Sequence, residues 1–404
     1  MHTALRLGVA VAQRVRQVNP AAHICFYGLY ATLNADHLLN GPGDSVISGE
    51  FEAPLVALAE ALDRDAAPES VPGVGTANRP AAPVLEALPP AMRALPPDRD
   101  GLPELRSYAG LERAGTIVRA GAIEATRGCH HMCRHCPIPP IYGGKFHVVP
   151  REAVLADARA QIAAGARHLT FTDPDFFNGP GHGLRIMRAL RADYPWLTFD
   201  VTIKVEHLLQ HHARLPELAE LGCVFVVSAV ESLSDRVLER LDKGHTRADV
   251  DAAIDLLDAV GVPMRPSLLP FTPWETLAGY RDLLAWVAAR DLIGCVDPIM
   301  LAIRLLIPPG SNLLTDAAGE PWLGELDAAN FTYRWTHPDP RMDALHRAVS
   351  IVVERAAAAN APDAETFAAI WAAAAEAAGV APPPIPTPAV RRPPAPGLTE
   401  SWFC

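Results

Sequence analysis

The segment CHHMCRHC, residues 129–136, sets Cys129, Cys133 and Cys136 at the spacing C-x3-C-x2-C. It directly follows TIVRAGAIEATRG (116–128), whose apolar and small residues indicate a strand. Three thiolates on one short loop can bind three corners of an iron–sulfur cube and leave the fourth iron without a protein ligand. An iron with an open position can react, so this loop is the predicted active centre.

A structural zinc site is the alternative for the same loop. Structural zinc takes four ligands, and three cysteines leave one position to fill. His130, His131 or His135 could complete a Cys3His site. No second pair of ligands with its own spacing lies nearby in the sequence, which favours the iron–sulfur interpretation. Both interpretations are open at this point.

Strand-like and helix-like segments alternate from about residue 116 to 310, which predicts six β-α-like units. Such a series builds a parallel sheet with helices outside, either open or curled into a full or partial barrel. Ligands in these folds bind at the carboxyl ends of the strands. After TIVRAGAIEATRG, the predicted strands are HLTFTDPDF (168–176), LTFDVTIKV (197–205), CVFVVSAVES (223–232), VPMRPSLLPF (262–271) and PIMLAIRLLI (298–307).

A C-x3-C-x2-C loop after the first of six such units resembles the radical S-adenosylmethionine (radical SAM) superfamily, over about residues 116–310. The resemblance implies an α/β fold with a partial (βα)6 TIM-type barrel. It also implies a [4Fe-4S] cluster on the three cysteines, with S-adenosylmethionine (SAM) chelated to the open iron. In that family an electron delivered through the cluster cleaves a C–S bond of SAM.

The resemblance therefore implies a radical SAM enzyme that acts on a small-molecule substrate, which the sequence does not identify. A reductant such as flavodoxin or ferredoxin would supply the electron. One alternative is a cobalamin-dependent radical SAM methyltransferase. Another is a non-catalytic iron–sulfur or zinc protein that senses redox state.

Acidic residues follow the second predicted strand in TDPDF (172–176). By the resemblance, this element takes the place of the family's Gly-Gly-Glu-like element, which holds the SAM amino group. Asp173 and Asp175 are the candidate acceptors, although the glycines are missing here. Either carboxylate could instead cap the turn or helix that follows.

Polar residues continue along the third and fourth predicted strands. Asp200, Thr202, Lys204 and Glu206 alternate along one face, and Ser228 and Glu231 come near a strand end. Because barrel interiors are normally filled with Val, Ile and Leu, an inward row of polar groups must be paired or bound to a ligand. The resemblance implies SAM or substrate contacts from Lys204, Glu206, Ser228 and Glu231, with Lys204 also a catalytic candidate. A structural ion pair of Lys204 with Glu206 or Glu231 is the alternative.

Further candidates complete the predicted cofactor site. The run 230–246 resembles a family stretch that ends in Lys-Gly-His-Thr. His135 lies inside the cysteine loop, Arg265 in the fifth strand and Arg304 in the sixth. A permanently charged guanidinium suits the SAM carboxylate or an anionic substrate. For Arg304 a structural ion pair is an equal alternative.

The flanking segments have different compositions. Residues 1–63 carry two strand and two helix patterns, which resemble the later part of a cobalamin-binding-like, doubly wound α/β domain, and a preceding strand is expected to be missing. The cobalt-ligand motif Asp-x-His-x-x-Gly is absent from the sequence, so cobalamin has no support from this chain. The remaining boundaries are a Pro-rich linker (64–110), the radical SAM core (111–315), a helical C-terminal extension (316–380) and a Pro-rich flexible tail (381–404).

The last residues, LTESWFC, resemble a group of radical SAM proteins whose tails continue as Cys-Cys-Ala-Glu-Pro or Cys-selenocysteine-Ala-Glu-Pro. This predicts that Cys404 is a catalytic residue carried over the barrel mouth by the flexible tail. It also suggests that an in-frame UGA codon after Cys404 was read as a stop. An inert end of the chain is the alternative.

The charge and cysteine content of the chain limit its possible binding partners and cellular location. The 404 residues carry a formal net charge of −11, which argues against nucleic acid or an anionic membrane as the main partner. Seven cysteines are too few for a disulfide scaffold in a chain of this length. The N-terminus lacks the pattern of a signal peptide, and no stretch of 18 apolar residues is present. A cytoplasmic location is therefore expected.

Overall fold

A curled parallel sheet with helices on its convex side forms the centre of the computed structural model, which describes residues 2–85, 95–317, 319–392 and 394–399. The strands in chain order are β1 (Cys25–Tyr27), β2 (Ser45–Ile47), β3 (Val74–Gly75), β4 (Gly110–Arg113), β5 (Thr116–Ile123), β6 (Thr126–Gly128), β7 (Phe146–Val148), β8 (His168–Phe171), β9 (Thr198–Thr202), β10 (Cys223–Glu231), β11 (Met264–Leu268), β12 (Leu323–Asp327), β13 (Thr332–Trp335) and β14 (Gly397–Leu398).

The α-helices vary from one turn to twenty residues. They span His2–Val18, Leu29–Leu33, Ala35–Leu39, Glu52–Asp63, Pro139–Tyr142, Arg151–Ala163, Pro180–Asp193, Val205–Gln210, Leu215–Glu220, Asp235–Leu241, Arg247–Ala259, Leu277–Ala289, Leu313–Ala317, Pro340–Ala359 and Asp363–Ala377.

The main sheet has the strand order β11-β10-β9-β8-β5-β4-β14. From β5 to β11 the neighbours are parallel, as expected for consecutive β-α units, whereas β4 and β14 are antiparallel additions at one edge. Leu169 and Phe171 pack into the large core under the helices, while Thr170 between them bonds across the other face to Asp200. This alternation places apolar residues on the convex side and polar residues on the concave side.

The predicted α/β fold with a partial TIM-type barrel is confirmed, and its sixth strand is shorter than expected. The run 298–307 contributes a short 3-10 helix (Pro298–Leu301) and a single parallel bridge between Phe271 and Arg304. Leu305 and Ile307 are buried in a satellite core instead of continuing a strand. Burial in packed loops produces the same apolar run as a strand, so the pattern alone could not separate the two.

The N-terminal segment forms a three-stranded sheet in the order β1-β2-β3. β1 and β2 are parallel, and β3 is added antiparallel to β2 from the stretch that the sequence assigns to a linker. Gly75 in β3 makes this possible because a Cβ there would lie 2.4 Å from the backbone nitrogen of Ala81. The linker is therefore partly ordered into the N-terminal sheet.

The described part of the C-terminal tail is attached to the body, in contrast to the free tether predicted for 381–404. β14 pairs with β4, and Thr399 exchanges hydrogen bonds with Gly110. The Arg392 guanidinium donates to the carbonyl oxygen of Arg290 at 2.8 Å and to the Asp258 carboxylate. Proline prevents a tail from folding as a helix, but it does not prevent docking through arginines and an edge strand. No helix in the described residues has both the length and the apolar composition needed to cross a bilayer.

Replacing Arg392 by alanine should lower the free energy of unfolding by about 2 kcal/mol, because the side chain is 14% exposed and its charged hydrogen bonds would be lost. The neighbouring Arg391→Ala variant is the matched control: its side chain is 77% exposed and its contact with Asp291 is 3.4 Å long. Its cost should stay below about 0.5 kcal/mol. Urea unfolding of both variants measures this, and equal losses would contradict the docked tail.

Candidate active site at the cysteine loop

A small hairpin presents the cysteine loop at the carboxyl end of the first barrel strand. β6 pairs antiparallel with β7, and the loop lies between them. Gly128 ends β6 with φ +79°, and a Cβ there would lie 2.5 Å from the carbonyl oxygen of Lys145. Only glycine allows this close approach, so the hairpin closes tightly below Cys129.

The three cysteines share the loop between β6 and β7. None of Cys129, Cys133 and Cys136 is in a disulfide. Burial, followed by the charges of Cys133 and Cys129, raises the pKa of Cys136 to about 12. Burial also raises the pKa of Cys129, with a smaller contribution from Cys133. Deprotonating the thiols of Cys129 and Cys136 requires positive charge nearby, so the donor set fits a metal cluster.

Asn178 holds the loop from below, and the sequence analysis did not identify it. Its side-chain oxygen accepts from the backbone N–H of His130 at 3.3 Å and lies 3.8 Å from the Cys129 sulfur. Its amide nitrogen donates to the carbonyl oxygen of Gly128 at 3.5 Å. Its position after TDPDF was visible in the sequence, but nothing there indicated that it folds back to the loop.

Asp173 lies under the loop and is fully engaged by the protein. Its carboxylate accepts from the Ala125 backbone N–H at 2.9 Å and from the Thr126 hydroxyl at 2.5 Å. Burial raises its pKa to about 6 even though these hydrogen bonds oppose the shift. The structure thus places Asp173 as a brace between the second strand and the cysteine hairpin.

Asp175 connects four elements of the site. It caps the 3-10 turn Phe176–Asn178 by accepting from the Phe177 N–H at 2.9 Å, as the capping alternative predicted. Its other oxygen lies 3.3 Å from the Lys204 backbone nitrogen and 2.8 Å from His207 Nδ1. His131 Nε2 from the cysteine loop is 3.7 Å away from the same oxygen.

The Lys204 ammonium lies against the cysteine loop. Its Nζ is 3.0 Å from His131 Nδ1 and 3.1 Å from the Glu206 carboxylate. Burial and then the Lys204 charge lower the pKa of His131 to about 4, so this ring is neutral near pH 7. The Lys204–Glu206 ion pair considered from the sequence is present, whereas Glu231 pairs with a different lysine.

His207 on the helix Val205–Gln210 is 8% exposed. His131, Asp175 and His207 bring three potential metal-ligand atoms within 4.8 Å of one another. The Lys204 ammonium in contact with His131 opposes a cation at that place. The cluster is therefore better suited to share protons and to bind an anionic group than to hold a separate metal.

A second ion pair lies beneath the other end of the loop. Glu231, the last residue of β10, bonds to Lys243 Nζ at 3.2 Å and lies 3.3 Å from His135 Nε2. Lys243 is 3% exposed. Its charge and the His135 contact hold the pKa of Glu231 at about 2, against the effect of burial. Neither the pair nor the role of Lys243 could be assigned from sequence.

The remaining predicted residues are spread over the barrel. Ser228 is fully buried on β10, and its hydroxyl has no hydrogen-bond partner among the described residues. Arg265 is near the start of β11, away from the loop, and bonds to Asp297 at 2.7 Å. Arg304 bonds to Asp343 at 2.6 Å, as its structural alternative predicted. Cys404 lies outside the described residues.

Comparison with known sequences agrees with this geometry. Residues 123–284 match the model of the Radical SAM superfamily, which uses a [4Fe-4S] cluster and SAM. The chain is 22% identical over 184 residues to the ribosomal protein uS12 methylthiotransferase RimO of Chlorobium phaeobacteroides, covering 43% of this chain and 42% of that protein. It is 26% identical over 194 residues to RimO of Geobacter sulfurreducens, covering 43% and 41%. The chain thus spans less than half the length of the curated relatives it matches.

Solved structures share the fold over most of the chain. The cobalamin-dependent SAM radical enzyme OxsB with aqua-cobalamin bound superposes with a TM-score of 0.68 at 16% identity, covering 88% of this chain and 57% of that one. The radical SAM methyltransferase TsrM from Kitasatospora setae, with tryptophan substrate and a SAM analogue bound, gives a TM-score of 0.62 at 18% identity, covering 84% and 73%. At these identities the likeness shows the fold alone.

Proposed function

Starting from the radical SAM domain matched at residues 123–284, we propose that this protein is a radical SAM enzyme that cleaves SAM reductively and acts on a small molecule. The observation that carries the proposal is that Cys129, Cys133 and Cys136, free of disulfides, share one hairpin loop at the carboxyl end of the parallel sheet. An electron donor such as flavodoxin or ferredoxin is part of the proposal, because the reaction consumes an electron.

In this proposal the three cysteines hold the [4Fe-4S] cluster, and Asp173 and Asn178 fix the loop that carries them. When bound, the cluster supplies the electron that breaks a C–S bond of SAM. The protein contributes a rigid hairpin, a buried surface on one side of the loop and charged groups on the other. These exclude water and orient the nucleotide, which is the usual contribution of a protein to cofactor chemistry.

Lys204 is proposed to bind the SAM carboxylate. Its side chain is 8% exposed and fixed against His131, whereas the Glu206 partner is 44% exposed and free to move. An incoming carboxylate can therefore replace Glu206 without moving the ammonium. His135 and Glu231 remain proposed contacts at the same edge. Ser228 remains a proposed contact from β10, where it alternates with the core residues Val226 and Val230.

Replacing all three loop cysteines by alanine should abolish iron binding and SAM cleavage, since the cluster would lose every protein ligand. After anaerobic reconstitution, the natural sequence should hold roughly four irons per chain. On reduction it should convert SAM to fragments that liquid chromatography detects. Cys25→Ala and Cys295→Ala, which change cysteines outside the loop, should keep both properties.

Two results would go against the enzyme proposal. Iron binding without SAM cleavage would favour the non-catalytic redox sensor instead. One zinc per chain with no iron would favour the Cys3His site.

Lys204→Met should weaken SAM binding tenfold or more, because a charged hydrogen bond contributes about 1.5–3 kcal/mol and 1.4 kcal/mol is tenfold in affinity. Iron content should not change. Lys145→Met is the matched control, as Lys145 is an exposed lysine next to the same loop. Anaerobic equilibrium dialysis with SAM measures both, and an unchanged dissociation constant for Lys204→Met would remove Lys204 from the binding site.

Cobalamin-dependent methyl transfer is a second candidate. OxsB, whose structure carries aqua-cobalamin, shares the fold over 88% of this chain at 16% identity. The carboxyl end of β2 lies against the cysteine hairpin, because Glu50 bonds to Tyr142 at 2.8 Å and to Arg127 at 3.3 Å. A cofactor on that sheet edge would therefore be close to the loop.

The second candidate predicts that the reconstituted protein retains hydroxocobalamin through gel filtration at about one per chain, seen by its visible absorption. The 404 residues lack the Asp-x-His-x-x-Gly motif, so this candidate does not include a cobalt ligand from that motif within them. Elution of all the cobalamin after the protein, as the free small molecule, would leave the first candidate alone.

A further inference from the structure

Lys243 is a buried lysine placed directly under the cysteine loop. The carbonyl oxygen of Leu241 accepts from the backbone N–H of Arg134 at 2.9 Å, which ties the loop to the end of the helix Asp235–Leu241. The chain then turns through Asp242 in a left-handed conformation, with φ +55°. Two residues after the tie, the Lys243 side chain enters the space below the loop and is 3% exposed.

The position of Lys243 is fixed by Glu231. The carboxylate oxygen lies 3.2 Å from Lys243 Nζ and 3.3 Å from His135 Nε2. Glu231 itself has φ +65°, a left-handed conformation that is strained for a non-glycine residue. The strained backbone at the end of β10 thus places the Glu231 carboxylate in contact with both Lys243 and His135.

A buried ion pair of this kind needs a reason beyond stability. Taking both charges out of water is costly, and apolar residues of the same volume are often as stabilising. The groups that face this pair from the loop are the thiols: the Lys243 charge lowers the pKa of Cys136, although burial dominates that group. The Cys133 and Cys136 charges in turn favour the charged form of Lys243.

We propose that Lys243 is a positioning residue that sets the reduction potential of the cluster on Cys129, Cys133 and Cys136, with Glu231 as its opposing charge. The inference rests on the proposed function. One electron from a flavodoxin- or ferredoxin-type donor enters the cluster and adds one negative charge to it. A buried ammonium under the loop would stabilise that reduced state, and the Glu231 carboxylate, which contacts both Lys243 and His135, would weaken the effect. Net charge near the cluster is one of the known determinants of its potential.

The test is an anaerobic redox titration of the reconstituted protein, followed by visible absorption and electron paramagnetic resonance. Lys243→Met removes the positive charge at similar length and should lower the midpoint potential. At a fixed potential the ratio of reduced to oxidised cluster should fall about tenfold, which is 59 mV for one electron. Glu231→Gln removes the opposing charge and should raise the potential. A purely structural role would not shift the two variants in opposite directions.

Two further variants keep the test decisive. Lys243→Arg retains the charge and should stay close to the natural sequence, and Lys145→Met removes an exposed lysine near the same loop and should not change the potential. If Lys243→Met does not retain the cluster, the upward shift of Glu231→Gln decides. A potential that is unchanged in Lys243→Met, or lowered in Glu231→Gln, would overturn the inference. Failure of the natural sequence to hold roughly four irons would instead overturn the proposed function.

Discussion

The placement of three thiols on one short loop is the constraint on which the site depends. Sulfur atoms that are buried and near one another resist deprotonation, as the raised pKa of Cys136 shows. Holding them as thiolates requires positive charge, and the loop must keep its conformation until metal ions supply that charge. The tight hairpin at Gly128, the Asn178 amide and the Asp173 carboxylate supply this support without using the thiols themselves.

Lys204 and Lys243 both lie near the loop, but in different environments. Lys204 pairs with the half-exposed Glu206 on the open side, where a ligand carboxylate can compete for it. Lys243, which is 3% exposed, pairs with the buried Glu231 on the inner side. Because exposure decides whether a partner can be exchanged, the outer pair is suited to binding and the inner pair to a permanent electrostatic effect.

Local chemistry was readable in the sequence, and long-range pairing was not. The cysteine spacing and the alternation of β8 to β11 predicted the loop and the curled sheet, because both depend on residues close together in the chain. Asp175 and His207 are 32 positions apart and meet only after two strands lie side by side. Arg265 was predicted to bind a ligand because of its charge and its position on a strand. Its actual partner, Asp297, lies 32 residues further along the chain, and the sequence did not indicate that the two meet. Nothing in a single sequence distinguishes such partners.

The C-terminal tail contacts both edges of the curled sheet. Gly397 pairs with β4 at one edge of the sheet, while the carbonyl oxygen of the preceding Pro396 accepts from Arg265 on β11 at the other edge. A segment that contacts both edges must bridge the gap of the half-barrel near the starts of the strands. Arg265 is thus a closing residue at the end opposite the cysteines. The tail therefore covers the end where the strands start. The polar concave face, which includes the His168–Asp200 pair, extends to the carboxyl edge, where Thr172 is exposed to solvent.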